Sequence, residues 1–184
     1  MNQLADLGFQ QSHFDITIQT LAQDQFVALS THCPSSGLDA IEFQFSPNVG
    51  EPARPLRAIA SSGEMARVML ALKTVLAAED EIPLLIFDEV DANIGGETAH
   101  AVGEKMRQIG QQRQVLCITH LAPVAAAAAN HFIVTKQVKT GRTISEIHLL
   151  DLVGRVEELA RMLGGQGDAA RKHAEAMLGI ASSG

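Results

Sequence analysis

Two adjacent acids at the end of an apolar run are the residues in this sequence best placed to do chemistry. The run Leu84-Leu85-Ile86-Phe87 leads directly into Asp88 and Glu89. This pair suits metal-assisted hydrolysis, in which the first carboxylate holds Mg²⁺ through water and the second orients or deprotonates the attacking water. The simpler interpretation is a strand that ends in a solvated acidic turn, and the acid pair alone leaves both open.

Three further groups lie around the acids in chain order. Ser61-Ser62-Gly63-Glu64 begins a run with helical spacing, and a helix N-terminus presents free N–H groups and partial positive charge to an anion. Asp91 follows the acid pair, and Thr119-His120 ends the next apolar run. Taken singly, these are an ordinary helix cap, a turn residue and a strand-end histidine. Their joint order favours a nucleotide-hydrolysing site.

This order of parts resembles the second half of an ABC-type ATPase head. In that resemblance Asp88 is the Walker B ligand of Mg²⁺, and Glu89 is the catalytic carboxylate. His120 is the switch histidine, a catalytic residue that contacts the γ-phosphate. The nucleotide-binding residues that the resemblance implies belong to the signature motif and the D-loop, and they are Ser61, Ser62, Gly63, Glu64 and Asp91.

The resemblance narrows to one family over nearly the whole chain. Five runs together are similar to the RecN family of bacterial DNA repair proteins, which resembles the SMC proteins: 43–52, 59–67, 87–96, 119–121 and 155–165. This resemblance implies an ATPase head that a long coiled coil splits between the two ends of the chain. It also implies ATP-dependent pairing of heads in the recombinational repair of DNA double-strand breaks.

The same resemblance implies ATP and Mg²⁺ as cofactors, but only in a complete head. Its expected partners are an N-terminal half that carries the Walker A motif, a second head in a homodimer, and DNA through the complete protein. The sequence contains no Gly-x-x-x-x-Gly-Lys-Ser/Thr, so we predict that this chain alone does not hydrolyse ATP. Ser62 also departs from the family pattern, which prefers glycine there, and it adds a side chain beside the expected phosphate.

The elements that must position these residues follow from hydrophobic periodicity. Phe14, Ile16 and Ile18 alternate with polar residues, as do the apolar residues of 41–45, and this predicts antiparallel strands. The proline-rich segment 46–58 predicts an ordered loop or linker before regular structure resumes near Ala60. Helical spacing from Glu64 onward predicts a long helix.

Residues 83–89 predict a parallel strand buried on both faces, followed by a helix over 99–109 and a second buried strand over 115–119. A short alanine-rich helix through Ala129 follows. Alternation around Lys139-Thr140-Gly141 predicts a hairpin, and two helices complete the chain. The predicted fold class is α/β, the second half of a P-loop NTPase head of ABC/SMC-like type: a mostly parallel sheet flanked by helices, with antiparallel edge strands.

We predict three parts: a stub after the coiled coil over 1–12, the C-terminal lobe of the head over 13–150, and C-terminal helices packed on it over 151–184. Two alternatives remain open. One is a non-catalytic interaction module that keeps the fold, which the missing phosphate loop supports. The other is a metal-dependent hydrolase, which leaves the helix start at Ser61 unexplained; its ligands for Mg²⁺ or Mn²⁺ would be Asp88, Glu89, Asp91, Glu97 and His120.

Composition limits the remaining classes. With 46% hydrophobic residues the chain can bury a core, while 4% aromatic residues leave few platforms for stacking on single-stranded nucleic acid. The net charge of −7 repels a phosphate backbone, so DNA contact needs a local basic patch or another segment. Cys33 and Cys117 lack metal-ligand spacing, and Cys117 lies in an apolar run that predicts a buried free thiol. No stretch approaches the ~20 apolar residues of a membrane span, so we expect no membrane partner and a cytoplasmic, nucleoid-associated location.

Overall fold

The computed structural model describes residues 2–20, 37–59, 61–77, 79, 82–139, 141–165 and 167–180. Cys33, Ala60 and Thr140, which enter the sequence predictions, lie outside the described residues. In chain order the elements are α1 (Asn2–Asp6), β1 (His13–Thr20), β2 (Asp39–Ser46), β3 (Arg54–Pro55), a 3₁₀ helix (Leu56–Ala58), α2 (Ser62–Val75), β4 (Leu84–Phe87), α3 (Gly96–Gly110), β5 (Gln114–Cys117), α4 (Ala122–Ala126), β6 (Phe132–Lys139), β7 (Arg142–Leu149), α5 (Leu152–Met162) and α6 (Asp168–Met177).

An antiparallel sheet of β1, β2 and β3 forms the N-terminal part of the fold, as the alternating pattern predicts. Phe45 is 1% exposed, and its ring meets that of Phe9 edge-on at 5.2 Å. The proline-rich loop that follows is ordered. The hydroxyl of Ser46 lies 2.9 Å from the carbonyl oxygens of Asn48 and Glu51, and these contacts hold the loop against the end of β2.

The main core lies where α2 and α3 pack against β4 and β5. The two strands are parallel and α3 is the crossover between them, as the strand-helix-strand pattern predicts. Helix α2 begins after Ser61, whose Oγ accepts a hydrogen bond from the backbone N–H of Glu64 at 3.4 Å. Val68 and Leu70 of this helix are fully buried. Because β4 and β5 are parallel neighbours, their carboxyl ends lie side by side.

Strand β4 is buried on one face only, so the prediction of burial on both faces is wrong. Leu85 and Phe87 lie in the core, with 8% and 6% of their surfaces exposed. The opposite face of β4, β5 and the residue after β5 is here called the open apolar face. It consists of four exposed side chains: Leu84 (43%), Ile86 (62%), Leu116 (49%) and Ile118 (59%). Successive side chains of a strand point to opposite faces, and the helices α2 and α3 cover one of them.

Strands β6 and β7 form a hairpin with Gly141 in its turn at φ +74°, in the region that glycine adopts without strain. Among the described residues the strands form three sheets, β1-β2-β3, β4-β5 and β6-β7. The α/β class is confirmed, but the hairpin is not an edge of the parallel pair as predicted. Alternation specifies that two neighbouring strands pair, but it does not specify which sheet edge the pair joins.

Helices α4, α5 and α6 form a second, smaller core around the fully buried Leu159. Helix α4 ends at Ala126, so the prediction of a helix through Ala129 is wrong, and the guanidinium of Arg155 donates to the carbonyl oxygens of Ala126, Ala128 and Ala129. Within the part of the chain that the structure describes, no helix combines the length and apolar character needed to cross a membrane. The division of the chain into three parts stays a prediction.

Candidate functional site

The acid pair leaves β4 in a turn of unusual backbone geometry. Asp88 and Glu89 are both exposed and directly follow the buried Phe87. Glu89 has a φ of +57°, in the left-handed region that residues other than glycine seldom adopt. Its carbonyl oxygen accepts a hydrogen bond from the N–H of Ala92 at 3.0 Å, which closes the turn. The turn brings Glu89 round to the start of α2.

The N-terminus of α2 packs directly on this turn. Gly63 is buried, and a Cβ added there would lie 2.9 Å from the Cβ of Ala92 and 3.1 Å from the carbonyl oxygen of Glu89. Only glycine permits such a close approach. Ser61 and Glu64 are half-buried at the same end of the helix. The signature segment and the acid pair, which the sequence presents as separate motifs, therefore form one surface.

One hydrogen bond joins the two motifs directly. The hydroxyl of Ser62 donates to Oε2 of Glu89 at 2.5 Å, and both side chains are exposed. The two residues lie 27 positions apart, and nothing in their spacing indicates the contact, so sequence reasoning missed it. The residue that departs from the family pattern thus contacts the predicted catalytic carboxylate within its own chain.

Arg67 holds the same turn from beneath the helix. Its Nη1 donates to the carbonyl oxygen of Ala92 at 3.1 Å, and its guanidinium carbon lies 5.2 Å from the centre of the Phe9 ring. The residue is 7% exposed, and burial lowers the pKa of Arg67 against the opposing effect of Glu64. Sequence reasoning did not single out Arg67, although its spacing of four from Gly63 places both on one helix face.

Asp91 connects this turn to the end of β5. The residue is 2% exposed, and its Oδ2 accepts hydrogen bonds from Oγ1 of Thr119 at 2.5 Å and from the backbone N–H of His120 at 2.9 Å. Nδ1 of His120 lies 3.2 Å from the same oxygen, while 71% of the histidine side chain is exposed. This burial leaves the carboxylate almost no surface for a ligand. Asp91 therefore holds the backbone and the ring of His120 in place, and its contact with a nucleotide stays a prediction.

Cys117 lies at the end of β5 as a free, half-buried thiol. Burial, followed by the negative charges of Asp91 and Asp88, raises the pKa of the Cys117 thiol to about 12. The neutral thiol therefore packs as a small apolar side chain, as its place in an apolar run predicts.

The five residues of the metal-hydrolase alternative do not assemble into a metal site. Among the described residues, which include all five, no group of three or more His, Cys, Asp or Glu side chains could hold a metal ion. Glu97 lies in the first turn of α3. Asp88 is an exposed single carboxylate at the end of β4, and its role as a Mg²⁺ ligand stays a prediction.

Relatives of this chain are known in several bacteria. The chain is 47% identical over 175 residues to the DNA repair protein RecN of Treponema pallidum. This match covers 94% of the chain and 30% of the Treponema protein. It is 43% identical over 176 residues to RecN of Deinococcus radiodurans (95% and 29%) and 36% identical over 184 residues to RecN of Bacillus subtilis (96% and 32%). The chain thus spans less than a third of the length of these relatives. No protein-family model matches it.

The fold is similar to solved SMC heads. The Smc head domain of Pyrococcus furiosus, with an extended coiled coil and bound to the C-terminal domain of ScpA, matches with a TM-score of 0.56 and 20% identity over 88% of this chain and 36% of that one. The Smc head domain of Pyrococcus yayanosii, with a coiled coil and joint, matches with a TM-score of 0.57 and 20% identity over 87% and 27%. At this identity the likeness concerns the fold alone, and it confirms the predicted head-like fold.

We expect Gly63→Ala to destabilise the chain by about 1–3 kcal/mol, because the new methyl group overlaps Ala92 and the carbonyl oxygen of Glu89. The better helix propensity of alanine offsets at most about 1 kcal/mol of this. Urea unfolding followed by circular dichroism measures the change. Gly110→Ala at the end of α3 is the matched control, because no atom lies within 4 Å of a Cβ added there. Equal stability of the two variants would contradict the prediction.

We expect Cys117 to resist alkylation in the folded chain. A thiol whose pKa is raised to about 12 holds on the order of 10⁻⁴ of its population as thiolate at pH 8, far less than an unfolded cysteine. In a Cys33→Ser background, the rate of reaction with iodoacetamide, followed by mass spectrometry, should be at least about 100-fold lower in buffer than in urea. The rate should increase about tenfold per pH unit above pH 8. Similar rates with and without urea would show that Cys117 is not shielded.

Proposed function

This chain is a RecN-type sequence that corresponds to the C-terminal part of those proteins, and we propose that it supplies the C-terminal half of an ATP-hydrolysing head in DNA repair. One observation supports the proposal above all. Asp88 and Glu89, His120 and the N-terminus of α2 all lie at the carboxyl ends of β4 and β5. Open α/β sheets bind their ligands outside the carboxyl ends of their strands. In this proposal ATP is the substrate of the complete head and Mg²⁺ is its cofactor.

Each side chain at this edge has a chemistry that suits phosphate hydrolysis. Glu89 offers an exposed carboxylate that can orient a water molecule and accept its proton. His120 offers an exposed imidazole, held by Asp91, that can donate to a phosphate oxygen. Asp88 is the carboxylate ligand for Mg²⁺, which neutralises phosphate charge when bound. Because these groups are exposed at the carboxyl ends of two neighbouring parallel strands, catalysis is better supported than the non-catalytic interaction module.

The start of α2 faces a nucleotide held by a second head. The lone pair of Ser61 Oγ is engaged with the N–H of Glu64, so its own proton remains available to a phosphate oxygen. The free N–H groups of the first turn add partial positive charge. Ser62, Gly63 and Glu64 complete this surface. Bound ATP thus bridges two copies, and hydrolysis separates them, which is the mechanical output on DNA.

The missing part of each head is an N-terminal half that supplies the phosphate-cradling loop, since no Gly-x-x-x-x-Gly-Lys-Ser/Thr occurs in these 184 residues. The open apolar face is the surface on which that half packs, because four exposed aliphatic side chains on adjacent strands cost free energy in water. With a net charge of −7, contact with DNA requires a local basic patch or another segment of the complete protein. We place the complete protein in the cytoplasm, on the nucleoid.

Glu89→Gln should lower ATP turnover of the complete protein by about 10²- to 10⁴-fold and leave ATP binding intact, because the amide cannot accept a proton from water. Turnover is measured by phosphate release and binding by calorimetry with a non-hydrolysable analogue. Glu157→Gln, an exposed change on α5, is the control and should have no effect. The isolated chain should show no turnover; turnover that Glu89→Gln abolishes in the isolated chain would contradict the need for an N-terminal half.

Ile86→Glu should prevent assembly of this chain with the N-terminal half while leaving the isolated chain folded. The side chain is 62% exposed on the open apolar face, so a charge there is solvated until a partner buries it. Co-purification of the two halves measures assembly, and circular dichroism measures folding. Gln108→Glu, an exposed change on α3, is the matched control. Normal assembly of the Ile86→Glu chain would mean that the N-terminal half binds elsewhere.

A further inference from the structure

The contact between Ser62 and Glu89 has a geometry that the backbone enforces. The turn at Glu89 is closed by its bond to Ala92 and packed against Gly63, and Arg67 donates to the same Ala92 carbonyl group. The two backbones therefore have little freedom to move apart. The backbone thus keeps Ser62 and Glu89 close together, and rotation of the two side chains makes or breaks their hydrogen bond.

A serine hydroxyl carries one proton and can donate it to one acceptor at a time. In this structure the proton of Ser62 goes to Oε2 of Glu89 at 2.5 Å, a charge-assisted bond. While that bond exists, Ser62 cannot donate to a phosphate, and Oε2 of Glu89 is already occupied as a hydrogen-bond acceptor. Ser61 differs, because its hydroxyl accepts from the N–H of Glu64 and keeps its proton free.

We propose that Ser62 is a positioning residue that holds the Glu89 carboxylate in the unpaired head and releases it when a phosphate group from a second head accepts the serine hydroxyl. The inference rests on the proposed function, because it needs a nucleotide at the start of α2. The inference adds a form of regulation that the proposed function does not require. When two heads pair, the Ser62 hydroxyl stops donating to Glu89 and donates to the phosphate of the second head instead. Glu89 becomes free to orient water only after that exchange.

A double-mutant cycle on head pairing tests the exchange. Pairing of the complete protein with a non-hydrolysable ATP analogue is measured by sedimentation for the parent, Ser62→Ala, Glu89→Gln and the combined variant. Glu89→Gln weakens the bond that pairing must break, since a neutral amide oxygen accepts more weakly than a carboxylate. It should tighten pairing by about fivefold more in the parent than in the Ser62→Ala background.

Two further variants separate positioning from a structural role. Ser62→Thr keeps a hydroxyl and should preserve the coupling with Glu89, whereas Ser62→Ala should remove it. Ser145→Ala, an exposed serine on β7, is the matched control and should leave the effect of Glu89→Gln unchanged. Equal tightening by Glu89→Gln in the parent and Ser62→Ala backgrounds would overturn the proposal. Loss of all pairing in Ser62→Ala, with no response to Glu89→Gln, would make Ser62 a phosphate ligand only and would also overturn it.

Failure of this inference and failure of the proposed function give different results. If the parent protein turns over ATP, loses turnover on Glu89→Gln and pairs with the analogue, but shows no coupling, only the role of Ser62 fails. If the parent neither pairs with the analogue nor depends on Glu89 for turnover, the proposed function fails and the inference fails with it.

Discussion

A buried carboxylate fixes the relation between the two strand ends on which the site depends. Burying Asp91 costs free energy unless hydrogen bonds replace its water, and the donors come from Thr119 and His120 after the neighbouring strand. The turn after β4 and the segment after β5 therefore cannot move apart without leaving a buried charge unpaired. Because Glu89 stands two residues before Asp91 in the same turn, this constraint also limits where the carboxylate of Glu89 can reach.

The contacts of Arg67 extend the constrained region toward the N-terminal residues. Its guanidinium lies over Phe9, which also packs edge-on against Phe45, and it donates to the carbonyl group of Ala92. A cation that is 7% exposed depends on these partners, since burial alone disfavours its charge. A continuous set of packed side chains therefore joins Phe9 and Phe45 to the turn that carries Glu89.

Sequence patterns specified the parts of this site but not the contacts between them. The apolar run before Asp88 and the helical spacing after Ser61 predicted a strand and a helix, because periodicity reports which face of an element is buried. The bond between Ser62 and Glu89 spans 27 positions and depends on the turn at Glu89, whose positive φ no local pattern predicts. The burial of Asp91 likewise depends on the neighbouring strand. The two-sided burial expected of β4 failed because an apolar run indicates that a strand can be buried, but not which of its faces another element covers.

On the proposed function, one N-terminal half of the head both covers the open apolar face and supplies the phosphate loop. Aliphatic burial on β4 and β5 gives the N-terminal half a reason to pack there, at roughly 25 cal/mol per Å² of apolar surface. The same half carries the loop that must lie opposite Glu89, so the packing that completes the sheet also places the phosphates. Assembly within one head then determines whether ATP can be held. The exchange of the Ser62 proton acts at a second level, because it depends on a nucleotide from another head. On the proposed function, hydrolysis requires both the completed sheet and the paired heads, and each requirement depends on a different surface of this chain.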